Sequence, residues 1–310
     1  MYYLGLDIGG MSIKCGVVNE KGQLGYVCRA VTPIGDFPTA IRVIDELCRE
    51  TARKAGIPWQ DIQGIGAGAP GTVCGDIVTY ATNLGWYNVP FVEELSRATG
   101  KRVAVGNDAN CALLAEWRFG SAKGYDNVAM ITLGTGVGTA FICDGRLLLG
   151  NGAACGEGGH MRIKNLGRKC NCGREDCWEI YASASSLQER AAALVEREPM
   201  GLLARLSGGQ KVDGLTFFRA LAEGDESCRQ VLLEFQEDVV DGLVNIANLF
   251  RPKLIVMGGG ICAQPTLLAP LEFMVNARTL GGKNNPHVEV TAATFDNDAG
   301  IIGGACLVIE

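Results

Sequence analysis

One short unit occurs twice in this chain, and that repetition restricts the fold more than any other feature of the sequence. The first copy is an apolar strand at residues 2–6, a tight turn at Gly9-Gly10, a second strand at 13–19 and a turn at Glu20-Lys21-Gly22. The second copy is a strand at 128–133, the glycine turn Gly134-Thr135-Gly136-Val137-Gly138, a strand at 139–143 and the turn Asp144-Gly145-Arg146. Each reads as a β-hairpin whose first connection is glycine-rich. Internal duplication of such a unit predicts two related lobes facing each other.

The intervening segments supply helices. Ile41, Ile44, Leu47, Cys48 and Thr51 recur at helical spacing over 40–54, and Gly56 and Pro58 close that helix. Strands are expected at 62–66 and 103–105, and a helix begins at Asn107-Asp108 with Asp108 in the N-cap position. Further helices are expected near 180–197 and 228–249. A strand at 254–257 runs into Gly258-Gly259-Gly260, and a last helix follows Asp298, over 300–308, returning to the first lobe. Strands alternating with helices make an α/β fold. At 310 residues and 47% apolar, the chain can bury a large core in two lobes. Their expected bounds are 1–115 plus 298–310 for a small amino-terminal lobe and 116–297 for a large carboxyl-terminal one.

The segment GEGGHMRIKNLGRKCNCGREDCWE places His160, Cys170, Cys172 and Cys177 close together in sequence. Three thiolates and one imidazole complete a tetrahedral zinc shell and leave no open position for a catalytic water, so this zinc would be structural. Buried cysteines acting as small hydrophobes would not fall as C-x-C-G-x-x-x-C with one of only two histidines ten residues upstream. Cys170 and Cys172 are too close in an irregular loop to pair easily as a disulfide, and thirteen cysteines is an odd number. So many unpaired thiols point to a reducing compartment, and the cytoplasm is expected. Glu157 stands three residues before the histidine and Glu179 two after the last cysteine, so the metal would hold polar side chains toward a ligand.

Glycine clusters after apolar runs bring backbone N–H groups close to an anion without a Cβ in the way. Two such turns suit a nucleoside triphosphate. Asp7, Gly9, Gly10 and Lys14 would serve from the first, and Thr132, Gly134, Thr135 and Gly136 from the second. Asp7 would orient Mg²⁺ through water. The chain has no G-x-x-x-x-G-K-[ST], which excludes a P-loop. Its G-x-G-x-x-G, from Gly66 to Gly71, lacks the helix that a dinucleotide fingerprint requires and reads as a wall of a substrate cleft. Asp108 is the expected base for transfer of a phosphoryl group to a hydroxyl. Asn83, Asn107, Glu157, His160 and Glu179, with no Arg or Lys among them, suit a neutral polyol such as a sugar. A net charge of −6 without a basic tract argues against nucleic acid or an anionic membrane as partner. No apolar run approaches the roughly 20 residues that span a bilayer.

Taken together, these segments resemble the ROK family of sugar kinases, open reading frame and repressor relatives within the actin-like ATPase superfamily. DIGGMSIK is similar to its first phosphate motif and LGTGVG to its second. NLGW and NDAN are similar to sugar-site motifs, and EGGHMRI and CNCGREDCWE to the sugar and zinc motifs. The resemblance implies a two-lobed actin-like ATPase (ribonuclease H-like) fold with a structural zinc loop. It implies ATP-dependent phosphorylation of a hexose, with Asp108 as base and with Asn107, Glu157, His160 and Glu179 on the sugar hydroxyls. Gly258, Gly259 and Gly260 would lie near adenosine, Mg²⁺ would screen the phosphates, and the protein would form a homodimer or homotetramer. NLGW resembles the glucokinase branch, while N-acetylglucosamine or N-acetylmannosamine kinases would share nearly all these residues. A sugar-responsive repressor is the alternative from another class, disfavoured because the first strand begins at Tyr2 where a helix-turn-helix would precede it. One departure stands out. The family usually has threonine where this chain has Met11, leaving Ser12 to supply a hydroxyl in the first phosphate turn.

Overall fold

The computed structural model of the chain describes residues 1–309. In chain order the elements are β1 (Tyr2–Ile8), β2 (Ser12–Asn19), β3 (Leu24–Val31), α1 (Phe37–Lys54), β4 (Ile62–Ala69), β5 (Thr72–Cys74), β6 (Ile77–Ala81), β7 (Trp86–Val89), α2 (Phe91–Thr99), β8 (Arg102–Asn107) and α3 (Asp108–Phe119). Then follow β9 (Val128–Leu133), β10 (Val137–Cys143), β11 (Arg146–Leu147), α4 (Glu179–Ala182), α5 (Ala184–Arg197), α6 (Leu202–Ser207), α7 (Gly214–Ala222) and α8 (Glu226–Phe250). The chain closes with β12 (Leu254–Gly258), α9 (Pro265–Leu268), α10 (Leu271–Arg278), β13 (Glu289–Ala292) and α11 (Ala299–Cys306).

The duplication read from the hairpins extends to whole sheets. One five-stranded sheet has the order β3-β2-β1-β4-β8 and the other β11-β10-β9-β12-β13, so both place their strands third, second, first, fourth, fifth. In each, the first strand of the set pairs in parallel with the fourth, β1 with β4 and β9 with β12. A three-stranded antiparallel sheet, β5-β6-β7, is inserted after β4.

Two compact units result. The first comprises Met1–Tyr125, Ala140–Gly156 and Thr294–Glu310, and the second Asp126–Thr139 and Glu157–Ala293. In the first unit, the face of the sheet toward α1 and α2 buries Leu4, Leu6, Ile13, Ile44, Leu47, Ile65, Trp86 and Phe91. The opposite face is covered by α11, with Ile301, Ala305 and Val308 against Tyr3 and Val18. That helix approaches the sheet at backbone contact. A Cβ at Gly66 would stand 1.9 Å from the Gly304 carbonyl oxygen, and one at Gly5 would stand 1.8 Å from that of Ile301.

Part of the Gly66 to Gly71 run serves packing: Gly66 and Gly68 lie inside β4, where they let α11 and α3 pack close, while Gly71 follows the strand and its carbonyl meets the Asn107 amide. The helix expected near 180–197 is two helices, because Ser183 leaves the helical region and its hydroxyl oxygen accepts from Ser186 N to start α5. Among the described residues no helix is long and apolar enough to cross a membrane.

Candidate active site and metal centre

In the first unit, the β1–β2 register sets Asp7 opposite Lys14, and their side chains form an ion pair at 2.8 Å. Lys14 Nζ also donates to Asn297 O at 3.4 Å. Asp7 Oδ1 stands 2.9 Å from where a Cβ on Gly300 would lie, so a glycine lets the start of α11 reach this carboxylate. Gly9 N donates to Ser12 O at 3.0 Å and closes the turn, while Thr32 Oγ1 donates to Gly9 O at 2.6 Å and braces it. Gly10 faces Asn83, which is exposed on the turn Thr82–Leu84. Met11 is 89% exposed at the tip and Ser12 is half-buried.

The cap of α3 is Asn107, not Asp108. Asn107 has extended backbone angles (φ −66°, ψ 146°), and its Oδ1 accepts from Asn110 N at 3.1 Å. Its amide nitrogen donates to Gly71 O at 3.0 Å, which ties the helix start to the loop after β4. Asp108 takes the first helical position instead, exposed, with Oδ1 accepting from Ala109 N at 2.8 Å. A carboxylate there also meets the positive end of the helix.

In the second unit, parallel β9 and β12 end together, with Thr132 opposite Gly258. Gly134 N donates to Gly136 O at 3.0 Å, closing the second turn. Gly259 takes φ +97°, and a Cβ there would be 2.3 Å from Leu133 O. The 258–260 segment is thus laid against the end of β9, beside the 134–136 turn. Ligands of open α/β sheets bind outside the carboxyl ends of parallel strands, where these residues lie.

His160 Nδ1 and the sulfurs of Cys170, Cys172 and Cys177 all lie within 4.8 Å of one another. The Nδ1 to Cys170 Sγ separation is 3.8 Å and that between Cys172 Sγ and Cys177 Sγ is 3.6 Å. A tetrahedron with zinc–sulfur bonds of about 2.3 Å has edges of about 3.8 Å, so the donor set fits this ion. Burial, then the adjacent Glu179 carboxylate, pushes the Cys170 thiol up, which a bound cation would reverse. His160 Nε2 points the other way, 3.9 Å from Glu157 Oε2. Glu157 is exposed and Glu179 largely buried.

The loop that carries these ligands is organised by a residue that sequence reasoning passed over. Asp176 is fully buried at φ +58°, and its carboxylate accepts from the backbone N–H groups of Leu166, Gly167 and Arg168 at 2.9–3.1 Å. The Tyr181 hydroxyl first, and these amides after it, hold its pKa down to about 2. Trp178 anchors the same loop to α8: its Nε1 donates to Asp238 O at 2.9 Å and its ring fills the space above Gly242.

A model described as the ROK family matches residues 3–310 of the chain. The chain belongs to the ROK family. This ROK protein is 32% identical to the glucokinase of Thermotoga maritima, over 99% of its own length and 97% of that protein's. Its fold matches the crystal structure of a ROK family glucokinase from Streptomyces griseus in complex with glucose and AMPPNP, with TM-score 0.86 and 32% identity over 99% of each chain. It also matches a ROK hexokinase from Thermus thermophilus, with TM-score 0.80 and 28% identity over 99% and 98%. The α/β architecture expected from the hairpins is that of the ROK sugar kinases.

Within its first unit this ROK protein gathers Asp7, Gly9, Gly10, Lys14 and Asn83 around one turn, and sets Asn107 and Asp108 at one helix start. Within its second it gathers Glu157, His160, Cys170, Cys172, Cys177 and Glu179 around one cluster, and Thr132, Gly134, Gly136 and 258–260 at one sheet end. A further residue without a sequence signal is Glu116. Fully buried on α3, it accepts from Thr294 N and Phe295 N with one oxygen, at 2.7 and 2.9 Å, and from Ser121 N and Oγ with the other, both at 2.9 Å.

Proposed function

We propose that this ROK protein transfers the γ-phosphoryl group of ATP to a hexose, with D-glucose as the preferred acceptor, giving ADP and D-glucose 6-phosphate. Likeness to glucokinases over the whole chain supports the reaction class. One structural observation carries the assignment of the base: Asp108 is exposed at the first position of α3, and its neighbour Asn107 is fixed at both ends of its amide.

In this reading Asp108 accepts the proton of the sugar O6 hydroxyl as that oxygen bonds to the γ-phosphorus and the bond to the ADP oxygen breaks. Phosphoryl transfer needs little covalent help, so positioning and charge do most of the work. Asn83, Asn107, Glu157, His160 and Glu179 hold the remaining hydroxyls by neutral or acceptor contacts. His160 presents Nε2 to the sugar because Nδ1 faces the sulfurs. The first turn, through Asp7, Gly9, Gly10, Met11, Ser12 and Lys14, and the second, through Thr132, Gly134, Thr135 and Gly136, bind phosphate oxygens. Gly258, Gly259 and Gly260 leave room for adenosine. Asp7 would orient the waters of a bound Mg²⁺, which would supply charge screening at the phosphates. The four sulfur and nitrogen ligands hold zinc.

ADP release measured with glucose, mannose, fructose, N-acetylglucosamine and N-acetylmannosamine tests the reading. The highest kcat/KM is expected with glucose. A preference for an acetamido sugar would move the substrate to that class, and no ADP release with any of the five would overturn the kinase reading. A homodimer or homotetramer is part of the proposal, checked by light scattering on the purified chain.

A further inference from the structure

The second glycine turn and the metal cluster are built on one another, all within the second unit. On one side, Gly158 N donates to Thr139 Oγ1 at 2.9 Å, and a Cβ on Gly159 would stand 2.1 Å from Val137 O. The short turn that ends in His160 is therefore seated on β10 directly after Gly136. On the other side, Ala184 N donates to Gly134 O at 3.0 Å, tying the turn to the helices that begin two residues after Cys177.

Glu179 joins the two sites with a single carboxylate. As a thiol, Cys170 donates from Sγ to Glu179 Oε1 at 2.8 Å, a bond that a zinc thiolate could not make, so metal binding changes what this carboxylate meets. The same oxygen lies 3.5 Å from His160 Nδ1. Glu179 Oε2 lies 2.4 Å from where a Cβ on Gly136 would be. Glycine at 136 is what lets a carboxylate pass between a metal ligand and a backbone turn. Ligands that share an ion fix both supports of the turn, the 158–160 segment and the start of α4.

We infer that Glu179 is a positioning residue that couples metal occupancy to the 134–136 turn, so that the metal centre sets nucleotide affinity as well as placing the histidine. The inference rests on the reading of that turn as a phosphate site. Coupling between two ligands is reciprocal in affinity, so it is measurable from either end.

The test measures binding rather than turnover. AMPPNP with Mg²⁺ is titrated calorimetrically into zinc-loaded and chelator-stripped protein, with circular dichroism confirming the fold, and zinc affinity is measured by chelator competition with and without AMPPNP. Stripping is expected to weaken AMPPNP at least about fivefold, and AMPPNP to tighten zinc by the same factor. Gly136→Ala pushes a methyl group into Glu179 and is expected to weaken zinc at least about fivefold in nucleotide-free protein. Gly134→Ala is the control on the same turn, because a Cβ there meets nothing within 4 Å, and zinc affinity should stay within about twofold. Glu179→Ala is expected to reduce the coupling to less than about twofold. Both glycine variants are measured zinc-loaded, so they answer even if stripped protein unfolds. Equal AMPPNP affinity with and without zinc in folded protein, or equal zinc affinity in the two glycine variants, overturns the inference. Failure of AMPPNP to bind either form while glucose binds overturns the phosphate reading, and the inference with it.

Discussion

Asn107 spans the start of α3 and the Gly71 carbonyl with one side chain, its oxygen on Asn110 N and its nitrogen 3.0 Å from Gly71 O. The two bonds call for different chemistry. Asp can make the first but not the second, and Ala makes neither. Asn107→Ala is expected to lose about 1 kcal/mol of stability from the cap alone, read by denaturant melts. Asn107→Asp should keep that stability while raising the sugar KM, and an unchanged KM would remove the tether from the account of the site.

Asp108 makes no cap, so its loss should leave the helix intact. Asp108→Asn is expected to lower kcat roughly 10²- to 10⁴-fold, with zinc content unchanged and a stability loss of no more than about 1 kcal/mol from the helix end. Turnover within tenfold of the unsubstituted protein, set as an order-of-magnitude threshold of about one decade, would sink the assignment of the base.

Met11 offers the first phosphate turn no hydroxyl. It is 89% exposed, so Met11→Thr should change stability by less than about 0.5 kcal/mol. The added donor is expected to lower the KM for ATP or raise kcat. Steady-state kinetics at varied ATP decide, and a variant indistinguishable from the parent would show that Ser12 and the backbone suffice.

Gly66 packs against the backbone of α11. Gly66→Ala would set a methyl carbon 1.9 Å from Gly304 O, where only backbone movement relieves the clash. A loss of about 1–3 kcal/mol or more is expected in urea unfolding, the range of an overpacked core. A stable variant with weakened sugar binding would instead support the cleft-wall reading at this position.

None of the thirteen cysteines is in a disulfide, but they differ in reach. Burial pushes Cys306 up to about 12, and burial with the nearby Asp225 does the same for Cys228. The thiolate is the reactive form, so a raised pKa leaves almost none of it at pH 8. Iodoacetamide at that pH should modify exposed Cys74 in the native protein and spare Cys228 and Cys306 until denaturant is added. Mass spectrometry of the tryptic peptides reads the order.

Local features of the sequence carried far. The hairpins, their glycine turns and the zinc ligands were legible because each depends on residues near one another in the chain. The cap was misassigned by one residue because Asn and Asp both cap helices, and only the extended backbone of Asn107 distinguishes them. Gly66 resembles a phosphate glycine in sequence, and its partner Gly304 lies far along the chain. Glu116 escaped for the same reason, since Thr294 and Phe295 lie far along the chain; Asp176 escaped although its partners are near, because a carboxylate's composition does not announce which amides it will meet.

The placement of α11 has a consequence for synthesis. The helix lies on β1, β4 and α3, yet its residues leave the ribosome well after all three. At about 5–20 residues per second, ~10–40 s pass between emergence of the first unit's opening segment and arrival of the helix that completes it. Through that interval the grooves beside Gly5 and Gly66 lack the helix that fills them, so a sheet whose strands are made early waits on a helix made late.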